Sequence, residues 1–174
     1  DVNPWMLFSS IVFLLFLSAF FSGVETAMMS LNRYRLKHLV KENDKGAIRA
    51  DKLLKRPDRL LGVILIGNNF VNILAASLTT VLCLNLFGDS GVVIGSIVLT
   101  LIILVFAEIT PKTFAALNSE KVALPASLVL KYLQKILRPL VLFVNFFSNF
   151  FMRLLGTKET TINEDLSPEE LKSV

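Results

Sequence analysis

Five oxygen-bearing side chains lie inside otherwise apolar stretches of this sequence. Ser18 and Ser22 are four residues apart, as are Asn68 and Asn72, so each pair faces one side of a helix. Glu108 adds a carboxylate in a third apolar stretch, where a charge is expensive unless something uses it. Hydroxyl, amide and carboxylate oxygens are the ligands that a hard cation such as Mg²⁺ prefers. The residue types therefore indicate a cation site.

Depth along the helices predicts that these side chains meet. At ~1.5 Å per residue, Asn68 and Asn72 lie ~12 and ~18 Å from the inner end of their helix, and Ser22 and Glu108 each lie ~26 Å from the outer end of theirs. Serine pairs also join transmembrane helices by hydrogen bonding, and an asparagine can bond a neighbouring backbone, so a structural role for each pair stays open. Their combination at one depth favours an ion or polar-substrate site.

Two backbone features accompany the polar residues. Pro111 lacks an N–H, so the carbonyl of Ala107 should lose its helical partner and present an oxygen next to Glu108. Gly23, beside Ser22, lets another backbone come close. We expect the helices to rearrange around Pro111 and Gly23 when an ion is released.

The charged neighbours of the site have simpler interpretations. Lys112 lies four residues after Glu108 and could be its salt-bridge partner. For Glu25 we expect a structural ion pair with Lys112 or Arg33, the alternative being a place at the inner mouth of the site.

Three charge-free stretches, residues 2–24, 60–88 and 90–107, compare with the about 20 residues that cross a bilayer. The chain is 53% hydrophobic and its mean hydropathy is +0.63, which excludes an ordinary soluble domain. We predict an all-α membrane protein with transmembrane helices over about 4–31, 59–87 and 90–112. The first stretch has no basic residues ahead of it and is longer than a signal-peptide core, so it should be retained.

Basic residues set the orientation. Ten of the 18 Lys and Arg residues lie between Arg33 and Arg59, and the connection at residues 87–91 has none. The positive-inside rule then places the long loop in the cytoplasm and the N-terminus outside. The net charge of +4 thus reflects an asymmetry across the membrane, and we expect no nucleic-acid partner.

The remaining segments are predicted to lie at the membrane surface. Interfacial helices are expected over about 33–55, 119–137 and 139–155, because Pro125 and Pro139 punctuate the last two and Lys131, Lys135 and Arg138 disfavour a crossing. A phenylalanine stripe between residues 143 and 151 should face lipid or a partner subunit. Residues 1–156 form the membrane domain, and 157–174 should begin a cytosolic acidic helical region.

Four motifs resemble one known family. They are Phe-Ser-Gly-Val-Glu-Thr-Ala at 21–27, Ser-Leu-Asn-Arg at 30–33, Gly-Asn-Asn-Phe-Val-Asn at 67–72 and Phe-Ala-Glu-Ile-Thr-Pro-Lys at 106–112. Their order and placement on three helices are similar to the transmembrane domain of the CNNM (cyclin M)/CorC family of magnesium transport proteins. The resemblance covers about residues 5 to 155.

The resemblance implies a homodimer with three transmembrane helices per subunit and a belt of juxtamembrane helices on the cytoplasmic side. It implies a dehydrated Mg²⁺ in a negatively charged, inward-facing cavity. Carried onto the matching positions, the ion ligands would be Ser18, Ser22, Asn72 and Glu108, with Asn68 and Pro111 shaping the site. The family's acidic bundle and nucleotide-binding CBS pair would follow Thr157.

The function implied is Mg²⁺ efflux across the plasma membrane, driven by a Na⁺ gradient, in a multi-pass protein. The alternative is a membrane-embedded Mg²⁺ sensor or scaffold that regulates another transporter. We expect no enzymatic activity, since the spans contain no His-Glu-x-x-His motif, paired catalytic aspartates or Ser/His pair.

Overall fold

The computed structural model describes residues 2–156, and this part of the chain is built from helices joined by short turns. In chain order they are α1 (Pro4–Ser30), α2 (Arg33–Lys41), α3 (Lys45–Leu54), α4 (Pro57–Phe87), α5 (Asp89–Ile102), a π-helical segment (Ile103–Ile109), α6 (Thr110–Leu117) and α7 (Ser119–Leu154). No strand occurs within residues 2–156.

Three helices are long and apolar enough to cross a membrane, which confirms the predicted fold class. They are α1 with 27 residues, α4 with 31, and the continuous third span Asp89–Leu117 with 29. At a rise of ~1.5 Å per residue each is ~40 Å or more in length, against ~30 Å of hydrocarbon. The second begins two residues before its predicted start, and the third continues five residues past its predicted end at Lys112.

Local signals explain where the spans begin. The Asn3 side chain caps α1 by accepting a hydrogen bond from the Trp5 N–H at 3.0 Å, and Pro4 occupies the first helical position. Pro57 likewise occupies the first helical position of α4. Gly88 alone separates α4 from α5 with φ of +73°. A side chain there would meet nothing within 4 Å, so glycine is required for its backbone conformation and not for space.

Helix α1 lies at the centre of the spans. It packs against α4, the π segment and α6, whereas α5 packs against α4. Small residues permit the contact between α4 and α5, since a Cβ on Gly95 would overlap the Cys83 sulfur. Two serines, Ser18 and Ser22, are fully buried on α1 together with apolar residues such as Val24 and Met28.

The basic segment after α1 is not the single helix that we predicted over 33–55. It forms α2 and α3, with a turn in which Asn43 adopts φ of 62°. Asn32 caps α2 and Asp44 caps α3, where the carboxylate accepts from the Ala47 N–H at 2.8 Å. The capping side chains favour the start of a new helix over continuation of the preceding one, because each satisfies backbone donors that would otherwise be unpaired.

The segment after Asn118 also differs from the prediction, because it forms one helix and not two. Helix α7 is continuous through both Pro125 and Pro139. Each proline deprives the carbonyl four residues earlier of its donor, at Lys121 and Lys135. These two prolines and two lysines are exposed, so water or lipid headgroups can donate hydrogen bonds to the carbonyls of Lys121 and Lys135.

The chain divides after Val141 into two units. The first holds all three spans, together with α2, α3 and the buried part of α7. In the second, the rings of Phe143 and Phe147 pack with centroids 4.8 Å apart, and Phe146, Phe150 and Phe151 are also exposed. The predicted cytosolic region, 157–174, lies outside the described residues.

Candidate functional site

The first half of the candidate site joins α1 to α4. The Ser18 hydroxyl lies 2.6 Å from Oδ1 of Asn72 and 3.2 Å from Oδ1 of Asn68. The spacing of four residues puts both asparagines on the face of α4 that meets α1. Since a hydroxyl has a single proton, it can donate to only one amide oxygen at a time. Three oxygens therefore converge with fewer protons than lone pairs, an environment that suits a cation.

The second half joins α1 to the third span, one turn further along. The Ser22 hydroxyl donates to Oε1 of Glu108 at 3.2 Å. The other carboxylate oxygen, Oε2, lies 3.2 Å from Nζ of Lys112, so these residues form the salt bridge that their i, i+4 spacing left open. The Glu108 side chain is 25% exposed, which leaves the carboxylate accessible from one side.

The structure thus brings together all five residues singled out by composition and spacing, around α1. Ser18 contacts α4 and Ser22 contacts the π segment, and their positions on successive turns place their Cβ atoms about 5–6 Å apart. Within residues 2–156 there is no group of three or more His, Cys, Asp or Glu residues that could hold a metal. Any cation held here would rely on hydroxyl, amide and backbone oxygens beside one carboxylate.

The backbone next to Glu108 departs from the simple proline effect. The π segment means that the Thr110 N–H bonds to the carbonyl of Val105, five residues back. The regular helix from Thr110 onward pairs the Thr113 N–H with the carbonyl of Ile109. Between these bonds, the three carbonyls of residues 106–108 share one regular donor, the Lys112 N–H, because Pro111 has none. The oxygen surplus is therefore larger than the single Ala107 carbonyl that we predicted.

Gly23 faces Pro111, so the backbone that the sequence analysis expected near this glycine belongs to the third span. A Cβ built on Gly23 would be 3.6 Å from both Cβ and O of Pro111, an ordinary van der Waals distance. The closer glycine contact is one that the sequence analysis missed. A Cβ on Gly67 would come within 2.6 Å of the Phe21 ring, so this ring packs directly on the α4 backbone beside the asparagines. The glycine before Asn68 was the available signal.

Glu25 does not form the ion pair that we expected. It is partly buried, and within residues 2–156 it makes no salt bridge with Lys112, which pairs with Glu108 instead, or with Arg33.

Residues 10–174 match the sequence model of the family described as CNNM, cyclin M transmembrane N-terminal domain. The chain is 50% identical over 159 residues to the UPF0053 inner membrane protein YfjD of Escherichia coli, covering 91% of this chain and 37% of that protein. It is 47% identical over 168 residues to a UPF0053 protein of Haemophilus influenzae, covering 97% and 40%.

A more distant relative has a name that states an activity. The polyamine export protein of Haemophilus influenzae is 27% identical over 179 residues, covering 95% of this chain and 41% of that protein. The chain spans about two-fifths of the length of the curated relatives it matches.

Proposed function

Because the chain belongs to the CNNM (cyclin M) transmembrane family, we propose that it exports Mg²⁺ across the plasma membrane through the site around α1. The observation that carries this proposal is the hydrogen-bonded series of oxygens that links Ser18 to α4 and Ser22 to Glu108. Such buried polar groups are expensive in an apolar helix and are retained where they bind something. We propose transport and not catalysis as the role of this domain.

The donor set matches Mg²⁺ better than a soft metal. Mg²⁺ prefers six oxygens in octahedral geometry. The side chains of Ser18, Ser22, Asn72 and Glu108 would supply four, Asn68 would position Asn72 or act as a fifth ligand, and surplus carbonyls of residues 106–108 complete the set. A single carboxylate per chain predicts modest affinity.

Lys112 has a role of its own in this proposal. Its ammonium pairs with Glu108 while no ion is present, so the carboxylate is neutralised in the bilayer. An arriving Mg²⁺ must displace that ammonium and turn the Ser22 hydroxyl proton away from Glu108. Release follows from rearrangement of the helices around the Gly23–Pro111 contact, where the π segment can change register.

The remaining parts of the proposal rest on family membership and on charge. The N-terminus lies outside and the basic segment of α2 and α3 in the cytoplasm, because basic residues concentrate there. The protein acts as a homodimer through its membrane domain, a Na⁺ gradient drives export, and a cytosolic CBS pair follows in the whole protein.

The test is Mg²⁺ flux in proteoliposomes together with Mg²⁺ binding by calorimetry. Ser22→Ala and Asn72→Ala should each reduce both about tenfold or more, which corresponds to ~1.4 kcal/mol. The matched controls are Ser10→Ala, whose hydroxyl bonds only its own helix at Met6, and Asn69→Ala on the exposed face of α4. If the control variants lost as much Mg²⁺ flux and binding as the site variants, Ser22 and Asn72 would not be part of the transport site.

The second candidate cargo is a polyamine. It is supported by the contact between the Lys112 ammonium and Glu108 at 3.2 Å, an alkylammonium–carboxylate pair of the kind that a polyamine would form. The polyamine export protein among the relatives is consistent with such a cargo. Flux of radiolabelled putrescine that Mg²⁺ does not inhibit, with no Mg²⁺ flux, would favour this candidate.

A sensor or scaffold is the alternative to transport. It predicts Mg²⁺ binding that depends on Ser22 and Asn72, but no flux of Mg²⁺ or polyamine under any ion gradient. The same liposomes therefore separate the three possibilities.

A further inference from the structure

A strongly basic groove lies between α3, the start of α4 and α7, away from the ion site. Its volume is about 480 Å³, within the range of small-molecule sites. Helix α3 contributes Arg49 and Lys52, the turn into α4 contributes Arg56, and α4 contributes Arg59. Three further cations line it from α7, on one face over two turns: Lys131, Lys135 and Arg138.

The positive charge of the groove is poorly compensated. No carboxylate is among its lining residues. Arg56 pairs with Asp58, with Nε and Oδ1 3.3 Å apart, and Arg49 donates to the Ser127 hydroxyl at 3.2 Å. The other five cations, Lys52, Arg59, Lys131, Lys135 and Arg138, make no ion pair with any residue between 2 and 156. Several like charges converging on one cavity attract a multivalent anion.

The groove lies at the level of the bilayer surface. Arg56 and Arg59 flank Pro57, the first residue of α4, and the charge-free stretch begins at Leu60. Cations at this position border the hydrocarbon, where lipid phosphates lie. Ile48 and Leu53 add an apolar side to the groove, and Ile48 is 43% exposed. Guanidinium groups and ammonium groups facing a phosphate, beside apolar surface, match a phospholipid and not a free ion.

We propose that this groove binds the phosphate of an anionic phospholipid headgroup. The arginines would hold the phosphate oxygens in forked hydrogen bonds, the lysines would supply charge, and Ile48 would contact the glycerol and the start of an acyl chain. The bound lipid would hold α7 against α3 and the base of α4, although their facing cations repel one another. The proposal depends on neither the identity of the cargo nor the occurrence of transport.

The experiment is native mass spectrometry of the purified protein with added phosphatidylglycerol or phosphatidylcholine. Two triple variants carry the same charge change: Lys52→Gln/Lys131→Gln/Lys135→Gln in the groove, and Lys37→Gln/Lys41→Gln/Lys45→Gln on exposed positions of α2 and α3 outside it. We expect retained phosphatidylglycerol to fall about tenfold in the groove variant and no more than about twofold in the control. Equal losses in both variants, or equal retention of phosphatidylcholine, would overturn the proposal.

Two further arms identify the source of the phosphate. Inorganic phosphate and glycerol 3-phosphate should not displace the lipid at millimolar concentration, and displacement would indicate a free-anion site instead. A photoreactive amino acid in place of Gln134, which lines the groove without contributing charge, should cross-link to lipid. Cross-links to an acidic protein segment with none to lipid would also contradict the proposal.

Discussion

The hydroxyl of Ser22 lies 3.2 Å from Oε1 of Glu108 and joins α1 to the π segment of the third span. Because Ser22 is fully buried, this hydrogen bond has no competition from water on the serine side. Glu108 is therefore held by two donors, the Ser22 hydroxyl and the Lys112 ammonium. In the proposed mechanism a cation that enters replaces both, which would couple binding to helix position at this residue.

The charge of Glu108 is expected to dominate Mg²⁺ binding. Glu108→Gln keeps an acceptor oxygen for Ser22 and a similar volume but removes the negative charge, so Mg²⁺ affinity should fall about tenfold or more. Calorimetry on the purified protein measures this. Glu120→Gln is the control, since Glu120 pairs with Arg35 at 2.7 Å outside the site and its loss should leave Mg²⁺ affinity unchanged. Wild-type affinity in Glu108→Gln would exclude the carboxylate as a ligand.

In the proposed mechanism Lys112 competes with the cation, so its removal should strengthen equilibrium binding. The ion pair is 42% exposed on the lysine side, and partly exposed pairs contribute ~0.2–1 kcal/mol. Lys112→Met should therefore raise Mg²⁺ affinity by up to about fivefold. Lys112→Arg keeps the charge and should stay near wild type. Weaker Mg²⁺ binding in Lys112→Met would mean that Lys112 supports the site and does not compete for it.

Ser18 is expected to contribute to stability as well as to the site. Ser18→Ala leaves the amide oxygens of Asn68 and Asn72 without this donor, and such interhelical bonds in membranes contribute ~0.6–1.7 kcal/mol. Thermal unfolding in detergent should show a lower midpoint for Ser18→Ala than for Ser10→Ala, whose hydroxyl bonds the Met6 carbonyl at 2.8 Å on its own helix. Identical midpoints would show that Ser18 does not join the two helices in solution.

Two glycines on the faces of α1 and α4 should respond differently to alanine. Gly67→Ala places a methyl 2.6 Å from the Phe21 ring, and overpacking of this kind costs about 1–3 kcal/mol. At Gly23 the nearest atoms of Pro111 would be 3.6 Å away, so Gly23→Ala should fold normally. Thermal unfolding compares the two, and Phe21→Leu/Gly67→Ala should recover part of the loss. A Gly67→Ala variant as stable as wild type would contradict the close contact.

Sequence alone predicted the meeting of Ser22 with Glu108 because both depths follow from a fixed helical rise and from charges that mark the ends of apolar stretches. The three spans were predictable for the same reason. These features depend on one helix at a time and need no knowledge of neighbours.

The predictions that failed concern features that depend on contacts with other parts of the chain. Pro139 indicated a boundary between two helices, yet α7 continues because this proline is exposed and residues such as Ala123 and Leu130 are buried on the other side of the helix. Gly67 indicated a close approach but could not identify Phe21 as its partner, since the contact joins residues distant in sequence. The turn at Asn43 was indicated by the capping residue Asp44, and it was overlooked because the surrounding residues have helical spacing.

The π segment offers the sharpest prediction about the site. The sequence indicated that Pro111 would leave one carbonyl without a donor. In the structure the Thr110 N–H bonds to a carbonyl five residues back, so the carbonyls of residues 106–108 share the shortage of donors. Pro111→Ala restores an N–H, so a regular α-helix becomes possible through this stretch. Losing the wide turn shifts the register by one residue, which rotates Glu108 and α6 together by up to about 100° around the helix axis relative to α5.

Pro111→Ala should therefore fold and retain its helical content while losing Mg²⁺ binding by about tenfold or more, because Glu108 leaves Ser22. Circular dichroism checks the helix, calorimetry checks Mg²⁺, and a Ser22→Cys/Glu108→Cys pair measures the geometry through its rate of cross-linking by a short bifunctional thiol reagent. The cysteine pair should be cross-linked with Pro111 present and be cross-linked more slowly with alanine there. Unchanged Mg²⁺ affinity together with an unchanged cross-linking rate would show that the π segment does not set the position of Glu108.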